Sequence, residues 1–182
     1  MTEPPPAPAV ARRILRVAPL EAATFAPYGE VIDRSSREPT LAINAGTADR
    51  LNDLARVDAS ARGGHVGLSI FRARPRPLPF RLQCMERHLH TSQAFVPLAG
   101  AAWIVIVAPR GQAPQPGALR AFMASATQGV NYARGTWHHP LIALGREAEF
   151  LVVDRVAEDG TEDCEVHDLA AADLWLDGNA AS

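Results

Sequence analysis

The stretch ERHLHTSQAFVPLAG, Glu86–Gly100, decides how the rest of the chain is interpreted. In an extended strand, residues two apart point to the same face, so Glu86 and His88 share one face and Arg87 points to the other. Apolar residues follow and end at Gly100, a residue suited to a turn. The stretch therefore predicts a strand that places a carboxylate and an imidazole side by side, then a second strand.

The remainder of the chain reads mainly as short strands. The runs HVGLSIFRARP, QAFVPL, AAWIVIVAP, GVNYAR and AEFLVVDR are rich in β-branched or aromatic residues, and Gly, Pro or polar residues bound them at intervals of about eight to twelve residues. Leu41 to Val57 predicts short strands around a turn. Helical turns are expected only in LEAATFAPYG and in DLAAADLWL near the C-terminus. The pattern predicts an all-β fold, a jelly-roll β-barrel with a few short helices, one of them near the C-terminus.

Composition indicates one globular domain. Residues 1–11 are proline-rich and are expected to form a flexible tail, and residues 12–178 a single domain. The net charge of -2 provides no basic field for nucleic acid. No apolar run is long enough to span a bilayer, and the N-terminus lacks the pattern of a signal peptide. Neither nucleic acid nor a membrane is therefore expected as a partner.

Two further features of composition restrict the chemistry. Cys84 and Cys164 are too few for a disulfide framework, which favours a reducing, cytoplasmic location. All 18 basic residues are arginines, so Schiff-base chemistry and a lysine general base are excluded. A proton acceptor must therefore be His, Asp, Glu, Tyr, Cys or a metal-bound hydroxide.

A jelly roll with polar side chains inside is the architecture of cupins, and the opening stretch fits their first motif. Glu86 and His88 take the paired ligand positions, and Gln93 takes the position of an acidic ligand. Imidazole with oxygen donors suits a divalent first-row metal that keeps open positions. A rival alignment that pairs His88 with His90 leaves too short a gap before Gln93.

The segment GTWHHPL supplies the second cupin motif. His138 lies three residues after Gly135, at the position of the fourth ligand. Adjacent side chains of a strand point to opposite faces, and Pro140 favours an extended conformation for His139. We therefore expect His138 to face a cavity and His139 to face the opposite wall or a subunit contact.

The same residues also have purely structural interpretations. A histidine in a β protein is more often packed and hydrogen-bonded than a ligand, and Glu86 beside Arg87 could be a solvated pair. His65 and His90 are assigned to the surface or a subunit contact. The larger aromatic residues are interpreted as core, namely Phe71, Phe95, Trp103, Phe122 and Phe150.

Several motifs together resemble the ureidoglycolate lyase family: TFAPYGEVI, INAG, SIFRARP, ERHLHTSQAFVPL, LRAFMASATQGVNYARGTWHHPL and FLVVDR. The resemblance extends from about Leu20 to about Asp168, with local departures at His90 and Gly135. It implies a cupin-type barrel, a homodimer and an associated nickel ion. It also implies cleavage of (S)-ureidoglycolate to glyoxylate and urea in allantoin and purine breakdown.

This reaction assigns expected roles to particular residues. A base removes the hydroxyl proton of the carbinolamide, the C–N bond breaks, and the ureido nitrogen is protonated and leaves as urea. The expected catalytic residues are Glu86, His88 and His138, which together with Gln93 are also the expected ligands of a divalent metal, Ni²⁺ by the resemblance.

Substrate contacts are expected from four residues. Arg72 is expected to clamp the substrate carboxylate, because a guanidinium matches a carboxylate with two hydrogen bonds. Gln93, Asn131 and Tyr132 are expected to bind the substrate, with Asn131 and Tyr132 at the ureido end. The alternatives are an exposed loop for Arg72 and turn or rim positions for Asn131 and Tyr132.

Two other functions stay open at this stage, another metal-dependent cupin enzyme and a metal-free cupin that binds a small molecule. Iron oxygenases use two histidines with a carboxylate, or three histidines, on one face, whereas the second motif contributes one inward histidine. A metal-free cupin would usually lose the polar set that is retained here. The apolar run AAWIVIVAP is expected to be covered by a partner subunit or by the C-terminal helix.

Overall fold

The computed structural model describes residues 12–35, 41–158, 160 and 163–177. The predicted flexible tail at residues 1–11 lies outside the described residues. The strands, in chain order, are β1 (Arg13–Leu15), β2 (Val17–Pro19), β3 (Gly29–Asp33), β4 (Leu41–Ile43), β5 (Ala48–Arg50), β6 (His65–Ala73), β7 (Phe80–Arg81), β8 (Cys84–His88), β9 (Gln93–Ala99), β10 (Trp103–Ala108), β11 (Arg120–Ala124), β12 (Gln128–Tyr132), β13 (Trp137–His138), β14 (Ile142–Ala143), β15 (Ala148–Val156), β16 (Cys164–Asp168) and β17 (Leu174–Leu176).

Helical structure in the described residues is short. One α-helix, α1 (Ala22–Phe25), ends just before Pro27 as predicted, and single 3₁₀ turns occupy Asn44–Gly46, Ala61–Gly63, Pro116–Ala118 and Ala170–Ala172. In the part of the chain that the structure describes, no helix has the length and apolar character needed to cross a membrane. The prediction of an all-β fold is confirmed.

The predicted helix near the C-terminus is wrong. DLAAADLWL begins in β16, makes one 3₁₀ turn at Ala170–Ala172 and continues as β17. β17 pairs with β1 on one side and β7 on the other, and both Leu174 and Leu176 are buried. Alanine-rich sequence favours a helix in isolation, but pairing on both edges and burial of alternate leucines outweigh that preference.

The strands form two large sheets that face each other, flanked by a small one. The central sheet has the order β16-β8-β13-β10-β11-β2, with β14 also paired to β10, and the outer sheet has the order β3-β12-β9-β15-β6. The small sheet has the order β1-β17-β7, and β4 and β5 form a separate hairpin. This arrangement of facing sheets is what the predicted cupin-like jelly roll requires.

Hydrophobic side chains fill both sides of the central sheet. The space between the central and outer sheets holds Phe25, Phe95, Trp103, Phe122, Tyr132, Phe150 and other apolar residues. The opposite side, toward the small sheet, holds a second core that includes Leu82, Met85, Ile104, Ile106, Trp137 and Leu176. Burying a large apolar side chain stabilises the fold by about 1.5–3 kcal/mol, so these two cores are its main source of stability. Of the aromatic residues assigned to the core, only Phe71 is exposed, at 41%.

The run AAWIVIVAP does not need a partner subunit. As β10 it lies inside the central sheet between β11 on one edge and β13 and β14 on the other. Trp103 and Val105 belong to one core, and Ile104 and Ile106 to the other. Its uninterrupted apolar sequence therefore reflects burial on both faces. The C-terminal segment does cover one of these faces, as expected, but through β17 and not through a helix.

Candidate active site

Strand β8 presents Glu86 and His88 to the space between the two large sheets. His138 on β13 pairs directly with Glu86 across the sheet. Arg87 takes the opposite face, where its guanidinium lies 4.3 Å over the Trp137 ring and pairs with Glu165 at 2.7 Å. The alternation predicted from the sequence is confirmed.

The three side chains form a compact cluster. Ligand atoms of Glu86, His88 and His138 lie within 4.8 Å of one another. Glu86 Oε1 is 3.5 Å from His138 Nε2, which makes this an electrostatic contact more than a hydrogen bond. The imidazole rings of His88 and His138 stack with centroids 5.5 Å apart.

The surroundings of His138 fix its orientation. Its Nδ1 lies 3.1 Å from the Thr136 carbonyl oxygen, which can only accept a hydrogen bond. The neutral ring therefore carries its proton on Nδ1, and Nε2 offers a lone pair toward Glu86. Tyr132 stacks on the ring at 4.2 Å with an interplanar angle of 11°, and His138 is only 1% exposed.

The electrostatics of the cluster favour an anionic Glu86 carboxylate and a neutral His88 imidazole. Burial alone would raise the pKa of Glu86, but the contact with His138 and the charges of the nearby histidines outweigh it and hold that pKa below its ordinary value. Burial, reinforced by the charge of His138, lowers the pKa of His88. Burial also raises the pKa of Tyr132, which stays protonated at neutral pH. This is the protonation state in which carboxylate and imidazole bind metals.

Gln93 lies on the inner face of β9, as predicted, and is 6% exposed. Its Nε2 donates to Asp154 Oδ2 at 3.1 Å, and Gln93 is the cross-strand partner of Tyr132. Sequence analysis missed Asp154. The signal lay in FLVVDR, where a period of two places Asp154 on the same face as Val152.

Three buried polar atoms in this region have no hydrogen-bond partner among the described residues. They are His88 Nε2, Gln93 Oε1 and His138 Nε2. A buried polar atom without a partner costs about 1–3 kcal/mol, and proteins usually satisfy such atoms. All three belong to the predicted ligand set. Gln93 Oε1 carries lone pairs, and each imidazole Nε2 carries one in the tautomer that is protonated at Nδ1. The donor set therefore fits a divalent cation.

Two predicted substrate-binding residues do not join the cluster. Arg72 points to the outer face of its sheet, is 72% exposed and pairs with Glu149 at 2.7 Å. Asn131 points away from Tyr132, its neighbour on β12, and donates to Glu30 Oε2 and to the Arg56 carbonyl. Tyr132, by contrast, lies against His138.

The two histidines next to the predicted ligands face away from the cluster. His139 packs edge-on against Phe80 with ring centroids 5.6 Å apart, on the opposite side of β13 as predicted. Burial, with a contribution from nearby Arg76, lowers the pKa of His139 to about 4, so it is neutral at physiological pH. His90 lies 4.0 Å from Asp163 near the surface.

The cluster opens into a cavity of about 710 Å³. Glu86 contributes to its wall together with Arg72, Arg74, Arg76 and Phe95. The arginines of SIFRARP and of the residues after it therefore border this cavity, although Arg72 also pairs with Glu149 and the Arg76 guanidinium lies over Phe80. His88 and Asp154 line a second recess of about 440 Å³.

The fold and the cluster define a class of protein, a mostly β enzyme in which facing sheets hold a buried carboxylate and imidazoles beside a cavity. The family model for ureidoglycolate lyase matches residues 12–175. The chain belongs to the ureidoglycolate lyase family.

Individual relatives agree with this assignment. A ureidoglycolate lyase of Burkholderia mallei (strain NCTC 10229) is 48% identical over 143 residues, which cover 79% of this chain and 83% of that protein. One of Azotobacter vinelandii is 48% identical, over 79% of this chain and 86% of that protein. Ureidoglycolate lyase 1 of Rhizobium meliloti is 45% identical, over 78% of this chain and 82% of that protein.

Solved structures resemble only part of the fold. RmlC from Streptococcus suis, in complex with dTDP-D-xylose, matches with a TM-score of 0.38 and 10% identity over 52% of this chain and 46% of that chain.

Proposed function

We propose that this protein is a ureidoglycolate lyase that cleaves (S)-ureidoglycolate to glyoxylate and urea. The observation that carries the proposal is the cluster of Glu86, His88 and His138 at a cavity, in a chain of the ureidoglycolate lyase family. The cluster offers lone pairs and an anionic charge, which suit removal of a hydroxyl proton. Elimination then needs no water in the bond-breaking step.

His138 is the proposed base. Its Nε2 carries a lone pair because Nδ1 is held by the Thr136 carbonyl, and Glu86 stabilises the imidazolium that forms. The electron pair of the deprotonated hydroxyl forms the C=O bond of glyoxylate, and the C–N bond breaks. The ureido nitrogen takes the electron pair of that bond and a proton from the site, and leaves as urea.

Glu86, His88, Gln93 and His138 are the proposed ligands of a divalent metal, with Ni²⁺ as the family resemblance suggests. Their unpartnered buried atoms support this assignment. A bound ion would supply Lewis acidity that polarises the substrate hydroxyl. In the absence of an ion, His138 would act as the base instead. The carboxylate of the substrate is proposed to lie near Arg72 and Arg74, because both line the cavity beside Glu86.

The direct test is to incubate the purified protein with (S)-ureidoglycolate, with and without a chelator, and to measure glyoxylate, urea and ammonia. We expect glyoxylate and urea in equal amounts. Ammonia in place of urea would indicate hydrolysis. Absence of any product in both conditions would contradict the lyase proposal and leave another cupin enzyme or a metal-free binding protein.

A second copy of the chain is the proposed partner, docked on the outer face of the outer sheet. Val66, Leu68 and Ile70 on edge strand β6 point to this face and are 54%, 71% and 53% exposed, and Leu98 on β9 is 50% exposed. Ile70 pairs with Leu151 across the sheet and Leu68 pairs with Val153, so the apolar surface extends from β6 onto β15. A continuous apolar patch of this kind is typical of an interface, and a two-fold axis lets it cover itself.

Leu68→Asp is expected to convert the homodimer to a monomer. A carboxylate buried at the centre of an apolar interface, facing its copy, should weaken association by about 100-fold or more. Light scattering coupled to size exclusion would measure the mass. Leu41→Asp, at an apolar residue 54% exposed on a separate hairpin, is the matched control and should leave the dimer intact. An unchanged mass for Leu68→Asp would contradict this interface.

We also propose a cytoplasmic location. Cys84 and Cys164 form no disulfide with each other, which suits a reducing compartment.

A further inference from the structure

We infer that Asp154 is a positioning residue, which holds the Gln93 amide so that its oxygen and not its nitrogen is presented to the Glu86–His88–His138 cluster. This rests on the proposed metal-binding function of that cluster. Nothing in the family assignment gives Asp154 a role, and it lies on a different strand from each of the four proposed ligands.

Asp154 contacts the Gln93 side chain across two neighbouring strands. Asp154 follows Val153 on β15, and Val153 pairs with Ala94 on β9, which places Asp154 beside Gln93 on the inner face. Gln93 Nε2 lies 3.1 Å from Asp154 Oδ2. A glutamine amide has two ends of similar shape, one that donates hydrogen bonds and one that accepts them. An ionised carboxylate only accepts, so it selects the orientation in which the nitrogen faces Asp154 and the oxygen faces away.

The oxygen of the Gln93 amide is left without a partner when the nitrogen binds Asp154. Gln93 is 94% buried, and its Oε1 has no hydrogen-bond partner among the described residues. Its cross-strand partner is Tyr132, whose ring stacks on His138. Because Asp154 holds the nitrogen, the oxygen is the end of the amide left for the site, where a cation or a ureido N–H would satisfy it. With the amide reversed, two donors would face the site and repel a cation.

Asp154 can affect the cluster in two ways, by orienting the Gln93 amide and by its own negative charge. The Asp154 carboxylate acts on His88 directly, through its negative charge. Removing that carboxylate would weaken cation binding in two ways, by the loss of a nearby negative charge and by the release of the Gln93 amide. Only the orienting effect passes through Gln93, and a double-mutant cycle isolates it.

The experiment measures Ni²⁺ binding by calorimetry in wild type, Asp154→Asn, Gln93→Ala and the double variant. Asn has nearly the same shape as Asp, but its amide can donate to the Gln93 oxygen as well as accept from the Gln93 nitrogen. It therefore no longer selects one orientation of the Gln93 amide. We expect Asp154→Asn to raise the Kd for Ni²⁺ about tenfold in the wild-type background, as for other residues that orient ligands. In the Gln93→Ala background its effect should fall to about twofold or less. Equal effects in both backgrounds would overturn the inference in favour of charge alone.

A spectroscopic measurement keeps the test independent of metal binding. In protein labelled with ¹⁵N-glutamine, the Gln93 side-chain amide should show one proton shifted downfield and protected from exchange, and Asp154→Asn should abolish both properties. An unchanged Gln93 signal would overturn the inference. If wild type binds no Ni²⁺ while the Gln93 signal behaves as expected, the metal proposal fails and the positioning inference stands. Glu165→Gln, which removes a carboxylate from the face that carries Arg87, is the matched control and should leave the Gln93 signal and the Kd unchanged.

Discussion

His138→Ala is expected to lower kcat for urea release by about 10²–10⁴-fold, the usual contribution of a positioned acid or base. His138 is the only one of the three cluster residues that is fully buried. Its Nδ1 is held by the Thr136 carbonyl, and its Nε2 has no hydrogen-bond partner among the described residues, which leaves that nitrogen for the substrate. Steady-state assays of urea and glyoxylate with purified protein would measure the effect.

Two further variants distinguish loss of the catalytic group from unfolding of the protein. His138→Gln keeps more of the volume against Tyr132 and should lose activity as well. His139→Ala removes the adjacent imidazole, which packs against Phe80 on the other side of β13, and should cost stability but keep kcat within a few-fold of wild type. Near-wild-type turnover of His138→Ala with normal metal content would contradict the assignment of His138.

His88→Ala is expected to weaken Ni²⁺ binding by more than about 100-fold, since even residues that only orient ligands contribute 10–100-fold. The imidazole of His88 stacks near His138, and its Nε2 is buried without a partner among the described residues. Calorimetry on chelator-treated protein would measure the Kd. His90→Ala is the matched control, because His90 lies two residues away but near Asp163 at the surface, and it should retain the wild-type Kd. Equal affinity of His88→Ala and wild type would remove His88 from the ligand set.

Most of the fold could be predicted from local sequence because strands leave a local signature. Alternating or continuous apolar runs bounded by Gly and Pro identified the principal strands. The C-terminal segment could not be predicted in this way, because its alanines favour a helix and its strand pairing depends on β1, at the other end of the chain. AAWIVIVAP likewise gives no local sign of whether a sheet or a second subunit covers it. Its place in the middle of the central sheet is a property of the topology.

For the candidate site, too, local periodicity predicted some features, and others depend on how the strands pack. Two-residue periodicity correctly placed Glu86 and His88 together, Gln93 on an inner face, and His138 and His139 on opposite faces. Periodicity alone could not say which face of β6 or β12 is the inner one. Arg72 and Asn131 were therefore proposed as substrate contacts; Arg72 borders the cavity but pairs with Glu149, and Asn131 binds Glu30 on the other face of β12. Arg76 and Asp154 were missed because their nearness to the site depends on the packing of β15, β9 and the segment after β6.

The proposed ligands come from β8, β9 and the two-residue strand β13, which lies between β8 and β10. β13 is far from β8 and β9 in sequence, and the three segments meet only when the central and outer sheets are assembled. A ligand held by all of these residues binds the folded chain and not the unfolded one. Binding of that ligand and folding of the chain are therefore thermodynamically linked. A ligand at 100 times its Kd adds about 2.7 kcal/mol to the free energy of unfolding. Scarcity of that ligand in the cell would then shorten the lifetime of the protein as well as limit its activity.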